Sequence, residues 1–309
     1  MISETISLKG RDGFKVHVRK WAPEEGVIPK AIIQVAHGMA EHIGRYDDFA
    51  RGLVNEGFVV YGNDHRGHGR TVDVKENIGY FADEKGWELV IDDMHRLTQL
   101  IKKEYTDLPI IFLGHSMGSL LLRGYIQLYG QEIRGAILSG TSGSKGFILD
   151  VAISLAKLQI KKIGAKEKSK LMDKMMLGNF NSKFKPNRTE FDWLSRDNIQ
   201  VDKYIEDELC GQVFTSRFYY DLLKGMKEIN KMQNIKKIPI EFPIYLFSGA
   251  KDPVGNNKKG VLKVYNTFKN VGIKDVSYKF YKNGRHEMLN EINKDEVYND
   301  IINWIKNHL

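Results

Sequence analysis

The sequence predicts an α/β fold in which helices flank a mostly parallel sheet and one helical cap is inserted. Short apolar runs alternate with amphipathic helical segments in both the first and the last part of the 309-residue chain, a pattern typical of parallel sheets. The alternation stops between residues 141 and 237, where the pattern is helical. We therefore predict a core domain of residues 1–140 and 238–309 and a cap of residues 141–237.

Each predicted element has a local reason in the sequence. The turn signal Gly10-Arg11-Asp12-Gly13 separates two strands that are expected to pair as a hairpin. Phe49, Leu53 and Val54 recur at helical spacing, and Gly57 is a typical residue for the end of that helix. The predicted strands are residues 4–8, 15–21, 31–36, 58–62, 110–113, 135–139, 242–247 and 276–281. The predicted core helices are residues 46–56, 87–105, 261–271 and 295–307, with one more beginning at Ser119.

The predicted cap is dense in apolar residues as well as in lysine. Between Phe147 and Ile160 the apolar residues cover more than one face of a helix, so at least two surfaces need burial. One surface is expected to pack on the core and the other to face an apolar substrate. The alternative, held with equal weight, is that both surfaces only pack the cap against the core, because leucine and methionine stripes usually belong to cores.

The stretch Gly114-His115-Ser116-Met117-Gly118 joins a predicted buried strand to a buried helix. A strand that enters a helix through G-x-S-x-G is the nucleophile elbow of the α/β-hydrolase fold, which presents a strained serine at the sheet edge. We therefore predict Ser116 as a nucleophile with a helix N-terminus behind it. The alternative is a glycine-rich turn in which Ser116 only caps the helix.

A serine nucleophile needs a histidine base, and that base needs an acidic partner to fix its tautomer. In α/β-hydrolases these residues follow in the order serine, acid, histidine. Asp252 and His286 follow consecutive predicted strands at the same sheet edge as Ser116, in that order. The backbone N–H groups of Met39, in the loop after the first parallel strand, and of Met117 are the expected oxyanion donors.

Other histidines and acids compete for these roles. The histidines at positions 37, 42, 65, 68 and 115 lie at the same edge, but they precede or adjoin the serine. Asp275 precedes its strand and is expected at the opposite edge, whereas Asp64 is expected to brace its own loop. Because the sequence has no H-E-x-x-H or paired-cysteine spacing, we predict neither a metal nor a cofactor.

The net charge of +8 is local rather than distributed. Nine lysines and two acidic residues between Lys157 and Lys185 give that segment a charge of +7. No nucleic-acid signature accompanies them, so we expect a solvated helix face, with transient contact between the cap and an anionic membrane as the minor alternative. A single cysteine, Cys210, and a start without a basic and apolar leader favour a cytoplasmic protein, and no apolar stretch is long enough to span a bilayer.

Five blocks taken together resemble the monoglyceride lipase and lysophospholipase group of α/β-hydrolases. In chain order they are HGMAEH, DHRGHG, GHSMG, SGAKDPVG and GRHEM. The resemblance implies a helical cap and the same triad and oxyanion donors that the residues themselves predict. Two positions depart from the group: Ala40 stands where eukaryotic monoglyceride lipases have glycine, and Thr71 where many members have serine.

The residues and the resemblance predict a serine hydrolase that cleaves an ester of a single-acyl-chain lipid, a monoacylglycerol or a lysophospholipid. Another carboxylesterase or an aminopeptidase on the same fold is the alternative, since acids in the cap could hold a substrate ammonium. Those acids are at positions 190, 192, 197, 202, 206, 207 and 208, and we expect them to pair with the cap lysines instead. A non-catalytic ligand-binding homologue is the third hypothesis, and a complete triad argues against it.

Overall fold

The computed structural model describes residues 1–178 and 180–309, and its strands agree closely with the predicted ones. The strands are β1 (Ile2–Lys9), β2 (Lys15–Ala22), β3 (Ala31–Ala36), β4 (Phe58–Asn63), β5 (Ile110–His115), β6 (Gly135–Ser139), β7 (Ile244–Gly249) and β8 (Val276–Tyr281). They form an eight-stranded sheet in the order β1-β2-β4-β3-β5-β6-β7-β8. The predicted hairpin is confirmed because β1 and β2 pair in antiparallel fashion. Strand β2 also pairs antiparallel with β4, whereas β3 to β8 pair with one another in parallel.

The helices follow the strands as the alternating pattern predicts. The α-helices are α1 (Asp47–Asn55), α2 (Gly86–Glu104), α3 (Met117–Tyr129), α4 (Phe147–Ile163), α5 (Lys170–Leu177), α6 (Asn198–Glu206), α7 (Ser216–Glu228), α8 (Met232–Ile235), α9 (Lys259–Asn270) and α10 (Lys294–Lys306). Short 3-10 helices cover Ile43–Tyr46, Gly69–Thr71, Lys75–Asn77, Gly130–Glu132, Asn181–Phe184 and Met288–Asn290. No helix among the described residues is long and apolar enough to cross a membrane.

Several strand ends differ from the prediction by one or two residues, and two of these differences have identifiable reasons. Strand β7 begins at Ile244 rather than at residue 242, directly after Pro243, which has no N–H to donate to a ladder. Strand β5 continues to His115 because Gly114 and His115 still pair with β6. The sheet ladder therefore runs up to the residue before Ser116, which places that serine at the carboxyl edge.

The core is built on both faces of the sheet. Every residue of β3, β4 and β5 is buried, as expected for central parallel strands. One apolar cluster contains side chains of α2, α3 and α7, and a second contains side chains of α1 and α10. The carboxyl ends of the central strands are thereby held on a rigid platform, from which the predicted site loops project.

The helices α4 to α8 lie between β6 and β7, where the sequence predicts the cap, and the cap boundaries at residues 141 and 237 stay a prediction. Helix α4 packs against α7 and buries Leu149, Ala152 and Ala156. Its remaining apolar stripe is exposed, so the expectation that a second surface of α4 is buried is wrong. That stripe consists of Phe147, Ile148, Val151 and Leu158.

Candidate active site

Ser116 occupies a strained backbone position between β5 and α3. Its φ of 51° and ψ of −117° lie in a region that residues other than glycine rarely adopt. Gly114 and Gly118 permit this turn, because a Cβ at Gly114 would meet the backbone of Gly118 and a Cβ at Gly118 would meet the carbonyl of Ala36. Ser116 stands at the N-cap position of α3, but its side chain makes no capping hydrogen bond, so the structure gives no support to the alternative that Ser116 only caps the helix.

Asp252 and His286 are joined by a hydrogen bond in the loops after β7 and β8. Nδ1 of His286 lies 3.0 Å from Oδ1 of Asp252, and both side chains are buried. Asp252 also accepts from the Ser248 hydroxyl at 2.8 Å and from the Val254 backbone N–H at 2.9 Å. A carboxylate held by three donors fixes the histidine tautomer that leaves Nε2 free to act as a base.

The pKa of His286 reflects two opposing influences. Burial by itself lowers the pKa of the imidazole, because a charged ring loses its hydration. The nearby Asp252 carboxylate opposes this effect through its charge and its hydrogen bond, and the pKa of His286 ends above its ordinary value. The site thus favours an imidazolium, which is the species that forms when the histidine accepts a proton.

Ser116 and His286 line one cavity of about 460 Å³, together with Met39 and Met117. Within the described residues the backbone N–H groups of Met39 and Met117 make no hydrogen bond to a protein acceptor. Both N–H groups are therefore available to a bound group. The apolar part of the lining comes mainly from residues between β6 and β7, which include Met176, Leu177, Phe180, Phe191, Trp193, Leu194, Tyr204, Val213, Leu222 and Met226.

Residues 28–293 match the model of the serine aminopeptidase S33 family of hydrolases. The chain belongs to this family. The match extends from just before β3 to the end of the loop that contains His286, so it includes both Ser116 and Asp252. The α/β-hydrolase fold that the sequence predicts is confirmed by this membership and by the topology of the sheet.

Relatives of this S33 hydrolase extend over its full length. The monoacylglycerol lipase of Mycolicibacterium smegmatis is 26% identical over 316 residues and covers 100% of both chains. The monoglyceride lipase of Mus musculus is 26% identical and covers 98% of this chain and 90% of its own. The crystal structure of a thermostable carboxyl esterase from Bacillus coagulans superposes with a TM-score of 0.91 at 30% identity, over 100% of this chain and 99% of that one. The resemblance to the monoglyceride lipase group is confirmed.

A buried ionic network that the sequence analysis missed lies beside the site of this S33 hydrolase. Arg45 donates to Glu41 at 2.7 Å and to both oxygens of Glu287 at 2.7 Å each. Glu41 in turn accepts from the backbone N–H of Gly38 at 2.6 Å and from the Tyr46 hydroxyl at 2.9 Å. The network therefore links the loop of Met39 to the residue that follows the histidine. The only local signal was the i,i+4 spacing of Glu41 and Arg45.

The two carboxylates of this network respond differently to burial. Burial raises the pKa of both, but the Arg45 guanidinium, through charge and paired hydrogen bonds, holds the pKa of Glu287 at about 2. The pKa of Glu41 is raised by burial, with the charge of Arg45 opposing that rise. One guanidinium therefore stabilises two buried acids, and its loss would leave both without a cationic partner.

The competing histidines serve the loops around the site. His37, His65 and His68 are buried together, with ring centroids 4.2 Å apart for His37 and His65. Burial lowers the pKa of all three, so they are neutral and structural. Asp64 accepts the backbone N–H groups of Ile43 and Arg70 at 2.7 Å each, which confirms that it braces its loop.

Within the described part of the chain, His42, Asp207 and Cys210 form a group whose potential metal-ligand atoms lie within 4.8 Å of one another. Both ring nitrogens of His42 already have partners, at Asp207 (2.8 Å) and at the backbone N–H of Gly44 (3.1 Å). Burial raises the pKa of the Cys210 thiol, which disfavours the thiolate that a metal requires. The expectation that the protein binds no metal stays a prediction.

Four of the seven candidate acids of the cap have partners other than lysine. Asp202 pairs with Arg188 at 2.7 Å, and Asp207 pairs with His42. Asp192 and Asp197 accept nearby backbone N–H groups, as short acidic side chains commonly do in turns and helix caps. The described residues show no ion pair between these acids and the cap lysines, so that expectation is wrong. Of the seven acids, only Glu190 is among the described residues that line the cavity.

Proposed function

We propose that this protein hydrolyses the carboxylic ester of a single-acyl-chain lipid, a monoacylglycerol or a lysophospholipid, through an acyl-enzyme. The observation that supports this most directly is the placement of a strained elbow serine and an Asp252-bonded histidine on one largely apolar cavity. Relatives that carry the names monoglyceride lipase and probable lysophospholipase L2 support the same substrate class.

The proposed roles of the site residues follow from their positions. Ser116 attacks the ester carbonyl while Nε2 of His286 accepts its proton, and Asp252 stabilises the resulting imidazolium. The backbone N–H groups of Met39 and Met117 donate to the oxyanion of the tetrahedral intermediate. His286 returns the proton to the departing alcohol. It then activates water to release the fatty acid from Ser116.

The cavity supports an acyl substrate of moderate size. Its volume of about 460 Å³ lies within the range of small-molecule sites, and most of its lining is apolar. Met176 and Leu177 of α5 and Phe180 lie on it, whereas no described residue of α4 does. The acyl chain is therefore expected to contact the segment around α5 rather than the apolar stripe of α4.

The decisive experiment compares the wild type with Ser116→Ala. We expect a fluorophosphonate probe to label the wild type at Ser116 and the variant not at all, with far-UV circular dichroism unchanged. A panel of monoacylglycerols, lysophospholipids, short nitrophenyl esters and aminoacyl amides then identifies the substrate. Hydrolysis retained by pure Ser116→Ala protein would contradict the mechanism. Preferred cleavage of aminoacyl amides would favour an aminopeptidase instead.

We further propose that the cap makes transient contact with a lipid surface through α4. Its exposed stripe includes Phe147 (79% exposed) and Ile148 (70% exposed), and Lys161 and Lys162 lie in the last turn of the same helix. Apolar side chains beside lysines are typical of surfaces that bind anionic membranes. We expect sedimentation with vesicles containing phosphatidylglycerol to fall in Phe147→Ser, and binding by neutral phosphatidylcholine vesicles to be weaker. Equal binding of wild type and variant would contradict this proposal.

A further inference from the structure

Residues 192–196 of the cap lie directly against the loop that follows β8. The backbone N–H of His286 donates to the carbonyl of Trp193 at 3.3 Å. The backbone N–H of Glu287 donates to the carbonyl of Leu194 at 2.7 Å. The proposed base and its neighbour are therefore hydrogen-bonded through their backbone to the cap rather than only to the core.

Side chains reinforce this backbone pairing from both directions. The Ser195 hydroxyl donates to the carbonyl of Asn290 at 2.7 Å. In the opposite sense, the guanidinium of Arg285 donates to the carbonyl of Ser195 at 3.0 Å and to that of Asp192. Each of the two segments thus supplies donors and acceptors to the other.

Glu291 is the ionic centre of the contact and is fully buried. One of its oxygens accepts the backbone N–H of Arg285 at 2.8 Å, and the other accepts Nε of Arg196 at 2.8 Å. A buried carboxylate that loses its cationic partner is strongly disfavoured. Arg196 of the cap is therefore the cationic partner of the carboxylate that holds the backbone of Arg285, the residue before His286.

The Trp193 ring lies beside the imidazole itself. The centroids of the Trp193 and His286 rings are 5.2 Å apart, with an angle of 32° between their planes. Trp193 is 9% exposed, and its backbone N–H donates to Oδ1 of Asn181 at 3.0 Å, which ties the backbone of Trp193 to the rest of the cap. An aromatic ring next to a histidine limits the orientations of the imidazole and favours its protonated form.

We propose that cap residues 192–196 position His286 for proton transfer, with Trp193 and Arg196 as the positioning residues. The cap is then part of the catalytic support and more than a cover over the substrate. This inference depends on the proposed serine hydrolase function. Proton transfer requires Nε2 of His286 to lie within hydrogen-bond reach of the Ser116 hydroxyl. A small displacement of the loop that contains His286 would therefore lower the reaction rate.

The test uses nitrophenyl butyrate, an ester too short to need an extended acyl-binding surface. We expect Arg196→Ala to lower kcat by about 10- to 100-fold with little change in KM, and Arg196→Lys to restore part of the loss. The matched control is Arg188→Ala, which removes an exposed ion pair with Asp202 inside the cap and should retain full kcat. A cap that only covers the substrate predicts unchanged kcat in all three variants, and that result would overturn the proposal.

A second variant separates positioning from folding. Trp193→Leu should lower kcat on the same ester and move the acidic limb of the kcat profile to lower pH, because the imidazolium loses its aromatic neighbour. Asp252, His115, Glu287 and Glu41, which also act on the imidazole, are unchanged in this variant. An unmoved limb with normal kcat would overturn the proposal.

The same series separates failure of the inference from failure of the function. Wild-type activity that is lost in Ser116→Ala shows that the serine hydrolase function holds. If the wild type is inactive on every ester, the proposed function fails. If it is active and the Arg196 and Trp193 variants match it, only the positioning role fails. Thermal melting of each variant confirms that the protein being compared is folded.

Discussion

The carbonyl oxygen of Ala40 accepts a hydrogen bond from the Tyr204 hydroxyl at 3.0 Å. A second hydrogen bond, from the backbone N–H of Gly211, reaches the same oxygen at 3.0 Å. Tyr204 and Gly211 lie between β6 and β7, whereas Ala40 directly follows Met39 in the loop after β3. Ala40 itself has a φ of 59°, in the left-handed region that favours glycine. The loop that is proposed to supply an oxyanion donor is therefore held by the cap in a conformation that is costly for alanine.

We expect Ala40→Gly to be neutral or to stabilise the protein by up to about 1 kcal/mol. Relief of a left-handed alanine is worth roughly 1–2 kcal/mol, and the greater flexibility of glycine in the unfolded chain offsets about 0.5–1 kcal/mol of it. Chemical denaturation measures the change. The control Ala50→Gly, in the buried interior of α1, should destabilise instead. Equal losses at the two positions would contradict the role of backbone strain at Ala40.

We expect Asp252→Asn to lower kcat by about four orders of magnitude, as loss of the acid in a serine triad does. Neutral His286 is the base, so wild-type kcat should rise with pH through the raised pKa of His286. Without the Asp252 carboxylate, only the charges of Glu287 and Glu41 oppose the effect of burial on the pKa of His286, so the acidic limb of the residual activity should move to lower pH. Ser248→Ala, which removes one hydrogen bond to Asp252, should cause a far smaller loss. A pH–rate profile that does not move would argue against the pairing.

We expect Arg45→Ala to destabilise the protein by about 3–5 kcal/mol, because Glu41 and Glu287 lose their buried counter-charge. In the wild type, the lowered pKa of Glu287 contributes stability above pH 4.5, and this contribution is lost as the pH falls toward 2. In the Arg45→Ala variant, burial should raise the pKa of Glu287. The free energy of unfolding of the variant should therefore fall as the pH rises from 5 to 8.

Urea unfolding at several pH values tests whether the stability of Arg45→Ala falls as the pH rises. The control Arg51→Ala breaks an exposed ion pair with Asp47 and should change the free energy of unfolding by less than about 1 kcal/mol. A variant of Arg45 that is most stable at pH 8 would show that the buried acids do not depend on the guanidinium.

We expect Lys145→Met to lower kcat/KM for lysophospholipids by about tenfold while leaving monoacylglycerols nearly unaffected. Lys145 lines the cavity, and the described residues supply no ion pair to its ammonium, whose pKa burial lowers. A phosphate head group would supply the missing anion through a charge-assisted hydrogen bond, worth about 1.4 kcal/mol for a tenfold effect. Lys251→Met, in the loop after β7, serves as the control. Equal changes for both substrate classes would exclude a role in head-group selection.

The strands and helices of the core could be predicted because their causes are local. Apolar runs of four to six residues, a closing glycine at Gly57 and the elbow glycines each act within one turn or one strand. The order Ser116, Asp252, His286 could be inferred because parallel strands place their carboxyl ends at one edge. Their catalytic roles stay predictions until the variants are measured.

The surroundings of the site could not be predicted in the same way. Arg45 and Glu287 are far apart along the chain, and no sequence pattern predicts that they form an ion pair. The apolar periodicity correctly predicted the helix α4. Periodicity shows which faces of a helix are apolar but not what packs against them, so it could not predict that one apolar face of α4 is exposed. The pairing of residues 193–194 with 286–287 likewise depends on how the cap is seated.

The sequence by itself therefore determined the α/β core, the elbow and the three residues proposed for the triad, because each rests on short-range backbone chemistry and strand order. Only the tertiary structure decided which charges are buried together, which residues line the cavity and which part of the cap supports His286. These features arise where segments distant in sequence exclude water between them, and burial then determines the hydrogen bonds and pKa values of the groups that meet there.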